Sequence, residues 1–117
     1  MDSHSVYVWN NIVTWCPGPL FVIAHSAGGG CVDEIMASDE HFHKKVEGVV
    51  YTDAFFSFYE RVKFKKSKFI HFQASDKMLG EVLQETPVKI VSAGHKEHAW
   101  TTGVAWPAIQ EWIVGKL

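Results

Sequence analysis

The chain has 117 residues, of which 47% are hydrophobic and 21% are charged, and its formal net charge is −2. These values are typical of one small globular domain and argue against a disordered chain, a collagen-like chain and a generic binder of polyanions. No apolar run reaches the roughly 20 residues that a membrane-spanning helix needs. The first four residues lack the basic flank and apolar region of a secretory signal. We expect a single domain over residues 1–117 that does not enter a membrane.

The first half of the sequence predicts two helices and two strands. Apolar residues within 7–15 have a spacing compatible with a helix, which the Pro-Gly-Pro segment at 17–19 ends. Residues 20–24 form a continuous apolar run, which is typical of a strand buried on both faces. A glycine-rich turn and a helix through Val32, Ile35 and Met36 follow. A second strand is predicted over residues 46–51.

The second half predicts two further strands and two helices. The third strand is expected over residues 68–73, a short helix over 78–83, and the fourth strand over 88–92. The last helix is expected to begin near Pro107, because proline suits the first helical position, with Ile109, Trp112 and Ile113 facing the core. This alternation predicts an α/β fold with a mostly parallel sheet of about four strands flanked by helices.

Residues 23–29, Ile-Ala-His-Ser-Ala-Gly-Gly, carry the most specific local signal. An apolar strand runs directly into Ser26, and small residues and a helix follow at once, which is typical of a nucleophile elbow. The positions two before and two after the serine must be small, and they are Ala24 and Gly28. A glycine-rich turn without chemistry is the alternative. A phosphate-binding loop is disfavoured because no Lys-Ser or Lys-Thr pair follows.

A nucleophilic serine needs a base, and the base needs an acid that orients it. In hydrolases with this turn the chain order is serine, acid, histidine. Two histidines, His95 and His98, follow the last strand, and two acids, Asp53 and Asp76, follow the second and third strands. Catalytic groups collect at the carboxyl ends of parallel strands. The sequence therefore predicts a Ser-His-Asp group and leaves the choice among these candidates open.

Several motifs occur in a characteristic order along nearly the whole chain. They are Tyr7-Val8-Trp9, His25-Ser26 with Gly28-Gly29, Thr52-Asp53, Val-Ser-Ala-Gly at 91–94 with His98, and the closing Trp-Pro-Ala-Ile-Gln-Glu-Trp-Ile at 106–113. Together they resemble the second half of the domain of the Argonaute-binding cotranscriptional-regulator family, which has an α/β-hydrolase-like fold. The resemblance implies Ser26 as nucleophile, Asp53 as acid and His98 as base. His95 ranks second as base, and Asp76 stays the alternative acid.

The resemblance also implies a biological role. Relatives act in the nucleus with Argonaute proteins, in small-RNA-directed heterochromatin formation and in splicing control. We therefore expect a regulatory domain, in the nucleus and also in the cytoplasm, that binds an Argonaute protein and a small RNA. The alternative function is a serine hydrolase acting on an ester or thioester. Neither interpretation calls for a cofactor.

The sheet of a complete hydrolase has about four further strands before the elbow strand, and residues 1–19 cannot supply them. The loop that normally carries the second oxyanion donor is therefore expected to be missing, and losing one donor costs about 100-fold to 1000-fold in turnover. Residues 20–24 would lie at an open sheet edge, which invites self-association. We expect a partial domain and a weak enzyme.

The basic segment, the histidine pairs, and the cysteines and tryptophans have structural explanations. Five of the eleven basic residues lie in 61–69, where they alternate with aromatics and could bind RNA or direct nuclear import, although a solvated loop is the favoured interpretation. The histidine pairs His41/His43 and His95/His98 are not expected to hold a metal, because no cysteine or helical frame accompanies them. Cys16 and Cys31 are expected to be buried free thiols. The five tryptophans are expected to be core and helix-packing residues, with Trp100 and Trp106 flanking the loop after His98.

Overall fold

The computed structural model describes residues 2–55, 65–85 and 88–117. Its strands are β1 Leu20–His25, β2 Val46–Thr52, β3 Phe69–Gln73, β4 Val82–Gln84 and β5 Ile90–Ser92. Its helices are α1 Asp2–Asn11, α2 Gly28–Ser38, α3 Phe42–Lys45 and α4 Thr101–Lys116, with short 3-10 turns at Val13–Trp15, Lys66–Lys68 and His98–Trp100. The strands form one sheet in the order β1-β2-β3-β5-β4.

The sheet is mostly parallel, as the alternation of strands and helices predicted. β1, β2, β3 and β5 run parallel to their neighbours, and β4 pairs antiparallel with β5. Because β1 pairs only with β2 among the described residues, it forms one edge of the sheet. The carboxyl ends of the four parallel strands therefore meet along a single rim, which carries the candidate site.

Helices cover both faces of the sheet because the central strand β2 is apolar on both sides. Val49 and Tyr51 face one core cluster, which α1, α2 and α3 cover with residues such as Trp9. Val50 faces the other cluster, which α4 covers with Ala105 and Ile109. Nearly every residue of β2 is buried, which is typical of a parallel strand packed between two helical layers.

Close packing of α4 on the sheet depends on a glycine in β2. A Cβ atom added at Gly48 would lie 2.7 Å from the ring of Trp112 and 3.1 Å from Phe21. The indole of Trp112 therefore occupies the space that any other side chain at position 48 would need. Ile109 is fully buried, and Trp112 and Ile113 pack against the same cluster, so the predicted inward face of the last helix is confirmed.

The short helix predicted over residues 78–83 is wrong. The chain turns at Leu79 and Gly80, where Gly80 has a φ of +88°, and then forms β4. Backbone hydrogen bonds from Gly80 to Ser92 and from Ser92 to Glu81 pair this segment with β5. Sheet pairing has overridden the helical spacing, since the apolar side chains of this segment are exposed rather than gathered on one buried face. The sheet accordingly has five strands rather than four.

Both terminal helices begin earlier than the sequence suggested. α4 begins at Thr101, so Pro107 lies inside the helix rather than at its first position. Burial of Thr101 and Ala105 against the sheet explains why this weakly helical stretch is nevertheless helical. The helix predicted over 7–15 is α1, which ends at Asn11, followed by a separate 3-10 turn.

The expected burial of cysteine and tryptophan is only partly met. Cys16 is exposed and Cys31 is half-buried, and both are free thiols. Trp9 is buried and donates its indole N–H to Asp39 at 2.9 Å. Trp112 packs against the cluster that α4 covers, whereas Trp15, Trp100 and Trp106 are exposed. Within the described ranges, no helix is both long and apolar enough to span a bilayer.

Candidate functional site

Ser26 occupies a sharp turn between β1 and α2. Its φ is +56°, a left-handed conformation that is uncommon for residues other than glycine. The backbone is fixed on both sides, because the N–H of Ser26 donates to Thr52 at 3.3 Å while its carbonyl accepts from Gly29 at 3.2 Å and from Phe55 at 3.1 Å. Hydrogen bonds on both sides of a residue allow a strained backbone conformation to persist at a functional site.

The turn is less crowded than the elbow pattern predicts. A Cβ atom added at Gly28 would lie 3.7 Å from the Cβ of Ala24, which is ordinary van der Waals contact. The two positions are neighbours as expected, but alanine would fit at position 28. Position 28 therefore accommodates a small residue and does not require glycine.

The register of the sheet brings Asp53 beside Ser26. His25 pairs with Thr52, so the next residue on each strand, Ser26 and Asp53, leaves the sheet at the same level. Asp53 also has a left-handed backbone, with a φ of +44°. Its N–H donates to the carbonyl of Phe72 at 2.8 Å. Two adjacent strands thus end in strained residues that carry a hydroxyl and a carboxylate.

Asp53 also holds His98, which arrives from the far end of the sequence. The Nδ1 of His98 donates to the Oδ2 of Asp53. Because a carboxylate only accepts hydrogen bonds, the proton lies on Nδ1, and Nε2 of the neutral ring is left as an acceptor. The hydroxyl of Thr101 donates to the carbonyl of His98 at 2.9 Å and fixes the backbone of the 3-10 turn. This is the arrangement in which an acid orients a catalytic base.

The electrostatics of Asp53 keep its carboxylate charged. Partial burial raises the pKa of Asp53 and is the largest single effect, but the hydrogen bonds from His98 and Ala74 and the charges of the two nearby histidines together outweigh it. The N–H of Ala74 donates to Oδ1 at 3.1 Å, and the positive charge that His98 and His71 carry when protonated acts in the same direction. The net pKa therefore lies below its ordinary value, and the group is an anion when it faces a protonated histidine.

The ring of His98 lies against the residue that precedes the serine. Its centroid is 4.6 Å from that of His25, with the planes 31° apart. Across the described parts of the chain, no hydrogen bond joins the hydroxyl of Ser26 to His98. Catalytic hydrogen bonds are often long in the absence of substrate and tighten when it binds. The structure therefore brings together acid, base and elbow, with the serine-to-base contact still open.

The alternative candidates are not part of this cluster. The Nδ1 of His95 accepts from the N–H of Glu97 at 2.9 Å, and its ring stacks on Trp100 with a centroid distance of 5.9 Å. Asp76 is exposed, and no hydrogen bond links it to either candidate histidine within the described ranges. Between the two acids and two histidines that the sequence left open, the geometry favours Asp53 and His98.

Donors for a developing oxyanion are present at the start of α2. The N–H groups of Gly29 and Gly30 are already bonded to the carbonyls of Ser26 and Ala27. Those of Ala27 and Gly28 make no backbone hydrogen bond within the described residues, as expected where a helix begins. They are one and two residues after the serine, where the helix dipole also favours negative charge.

The sequence motifs include His25 and Thr52, but sequence reasoning missed that these residues connect the three site segments. His25, Thr52 and Thr102 form a hydrogen-bonded group directly beneath the site. It also missed His71, whose Nε2 accepts from the N–H of Ala54 at 3.2 Å. Burial lowers the pKa of His71, although the charge of Asp53 opposes the shift. The only available signal was the placement of these polar residues within otherwise apolar strand ends.

The basic segment at 61–69 is described only in part, because residues 61–64 lie outside the described ranges. Lys65 and Lys66 are exposed. The Nζ of Lys68 instead donates to the carbonyl of Val46 at 3.2 Å, so this lysine joins the start of β3 to the start of β2. In the described part of the chain, no group of three or more histidine, cysteine or acidic residues could hold a metal ion.

Comparisons with known proteins identify no relative of this chain. No protein-family model, no curated protein and no solved structure matches the chain.

Proposed function

We propose that Ser26, His98 and Asp53 form a nucleophilic site that hydrolyses an ester or thioester. The observation that carries this proposal is the hydrogen bond from His98 to Asp53 beside the strained turn at Ser26. Neither feature is needed for stability alone, since positive φ at a serine costs free energy and an ion pair exposed to solvent contributes little.

In the proposed reaction the hydroxyl oxygen of Ser26 attacks the carbonyl carbon, and its proton moves to Nε2 of His98. Asp53 keeps His98 in the required tautomer and stabilises the imidazolium. The N–H groups of Ala27 and Gly28 stabilise the oxyanion. His98 then gives its proton to the departing alcohol or thiol. Water attacks the acyl-serine, its proton passes to Nε2, and that proton returns to Ser26 as the acid leaves.

A fluorophosphonate probe tests this proposal, because it reacts only with an activated serine. We expect labelling of the folded chain that disappears in Ser26→Ala and falls strongly in His98→Ala. His95→Ala is the matched control and should be labelled like the unsubstituted chain. A folded sample that takes up no probe would exclude hydrolase chemistry for this chain.

We propose as a second function a regulatory domain linked to Argonaute, in small-RNA-directed heterochromatin formation or splicing control. It is supported by the order of motifs that resembles the family, and by the geometry that brings the matching residues Ser26, Asp53 and His98 to one rim. Under this proposal the domain acts in the nucleus, and also in the cytoplasm, through binding a protein or a small RNA. It does not require turnover at Ser26.

Direct binding to a purified Argonaute protein tests the second proposal. We expect saturable binding by both the unsubstituted chain and Ser26→Ala, since chemistry is not required. A fluorescently tagged chain should be enriched in the nucleus. Absence of binding to Argonaute proteins, loaded or free of guide RNA, would exclude this role while leaving the hydrolase proposal intact.

Binding of small RNA is tested at the exposed part of the basic segment. We expect a short RNA to bind with an affinity that falls steeply as salt rises, because phosphate contacts release counterions. The double variant Lys65→Glu/Lys66→Glu should lose this binding. Lys89→Glu/Lys96→Glu makes the same change in net charge at two other exposed lysines and should retain it. Equal binding by both double variants would remove the RNA contact from the proposal.

A further inference from the structure

We propose that Thr52 is a positioning residue that holds the three site segments in register. Thr52 is the last residue of β2 and is fully buried. It precedes Asp53 directly, and its side chain and backbone contact the segments that carry Ser26 and His98. This inference rests on the proposed hydrolase site and assigns a role in it to a residue that does not touch substrate.

The first connection runs from Thr52 to the serine segment. The carbonyl of Thr52 accepts from the N–H of Ser26 at 3.3 Å and lies 2.8 Å from Nδ1 of His25. Because a carbonyl only accepts, Nδ1 of His25 carries the proton, which fixes the tautomer of that ring. The hydroxyl of Thr52 lies 3.1 Å from the same nitrogen. The ring of His25 is therefore held in one orientation beside the elbow.

The second connection runs from Thr52 to the histidine segment. Its hydroxyl lies 2.7 Å from that of Thr102, which is in the first turn of α4, four residues after His98. The same Thr102 hydroxyl lies 3.5 Å from Nδ1 of His25. The buried hydroxyl pair thus links the end of β2 to the helix that follows His98.

These connections restrain the ring of His98, which the hydrogen bond to Asp53 alone does not fix. A single hydrogen bond at Nδ1 leaves the ring of His98 free to swing about that bond, and its side chain is 47% exposed. His25, oriented by Thr52, lies against the ring face, and Thr102 restrains the helix behind it. Removing the Thr52 hydroxyl should release the link to Thr102 and weaken the hold on His25, whose hydrogen bond to the Thr52 carbonyl remains. A displacement of about 1 Å at a reacting group can cost about 100-fold in rate.

Thr52→Val tests the proposal, because valine keeps the shape of threonine without its hydroxyl. We expect the rate of fluorophosphonate labelling at Ser26 to fall by about 10-fold to 100-fold. Thr52→Ser keeps the hydroxyl and should restore most of the rate. Thr14→Val is the control, since the hydroxyl of Thr14 donates only to a helix carbonyl in the N-terminal region. Unchanged labelling in Thr52→Val would overturn the proposal.

A second measurement keeps the test independent of catalysis. The Nδ1 proton of His98, bonded to Asp53, should give a downfield NMR signal in the unsubstituted chain and in Thr14→Val. We expect it to be broadened or lost in Thr52→Val. If the chain takes up no probe, the hydrolase proposal fails while this signal still decides the positioning role. If Thr52→Val does not fold, Thr102→Val is measured instead, and an unchanged His98 signal there overturns the proposal.

Discussion

Asp53 combines a left-handed backbone with a carboxylate that bonds both His98 and the N–H of Ala74. We expect Asp53→Asn to lower the rate of fluorophosphonate labelling by about 10⁴-fold, because an amide neither fixes the tautomer of His98 nor stabilises its protonated form. The rate should be compared with that of Asp76→Asn, which removes the other candidate acid. A larger loss of labelling rate in Asp76→Asn would identify Asp76, which follows β3, as the acid.

Gly48 and Gly28 offer a matched pair for testing packing. We expect Gly48→Ala to lower the free energy of unfolding by about 1–3 kcal/mol, because the new methyl group collides with the ring of Trp112. Gly28→Ala should not destabilise the chain, since its methyl group would make ordinary contact at the start of α2. Urea denaturation of both variants measures the two effects. Equal losses of unfolding free energy in the two variants would mean that the contact of Trp112 with position 48 does not limit the size of the residue there.

At the scale of elements, the sequence predicts best where one physical requirement dominates. The apolar run at 20–24 and the strands predicted over 46–51 and 68–73 match β1, β2 and β3 within one or two residues, because parallel strands buried on both faces are mostly apolar. The segment at 78–83 was misread because its apolar spacing fits a helix, whereas its backbone pairs with β5. That pairing depends on the turn at Gly80 and on the residues of β5, which the local pattern at 78–83 does not contain.

The carboxylate of Asp39 accepts a hydrogen bond from Trp9 of the N-terminal helix, and this contact is sensitive to acid. Burial alone raises the pKa of Asp39, but hydrogen bonds from Lys45, Trp9 and the N–H of His41 lower it from 3.8 to about 2. A pKa that is lower in the folded state stabilises the fold above pH 4, and this stabilisation is lost as the pH falls from about 4 towards 2.

Asp39→Asn checks this anchoring. We expect it to lower the free energy of unfolding by about 1–2 kcal/mol at pH 7, because the charge-assisted bonds to Lys45 and Trp9 are weakened. The difference from the unsubstituted chain should shrink between pH 4 and pH 2. Thermal melts across this range, followed by circular dichroism, measure both curves. A difference that stays constant with pH would show that the charge of Asp39 does not act in this way.

At the scale of the whole molecule, β1 pairs only with β2 among the described residues, and the sheet edge that it forms predicts self-association. Ile23 on this strand is 40% exposed, and an unpaired apolar edge can add a second copy of the same strand. We expect concentration-dependent dimers or larger species in analytical ultracentrifugation, and a shift to monomer in Ile23→Lys. Ile12→Lys places the same charge at an exposed isoleucine outside the sheet and should leave association unchanged. A compact monomer at every concentration would contradict this expectation.

The candidate site was only partly predictable from the sequence, because its residues come from separate strand ends. Ser26 could be recognised from its local turn, but choosing between Asp53 and Asp76 required the register that sets Asp53 beside the serine. Thr52 entered only as part of the Thr52-Asp53 motif and Thr102 carried no signal, since a threonine at a strand end and another in a helix are ordinary in sequence. Their contact spans 50 positions and exists only after the sheet and α4 have packed.

The positive φ of Ser26 implies a trade between stability and chemistry. A left-handed backbone costs a non-glycine residue on the order of 1 kcal/mol, and glycine would relieve that cost at this turn. We therefore expect Ser26→Gly to melt at a higher temperature than the unsubstituted chain while losing all reactivity towards the probe. A protein that did not need the hydroxyl would be more stable with glycine at position 26. The stability cost of Ser26 therefore indicates a function for its side chain at the carboxyl ends of the strands.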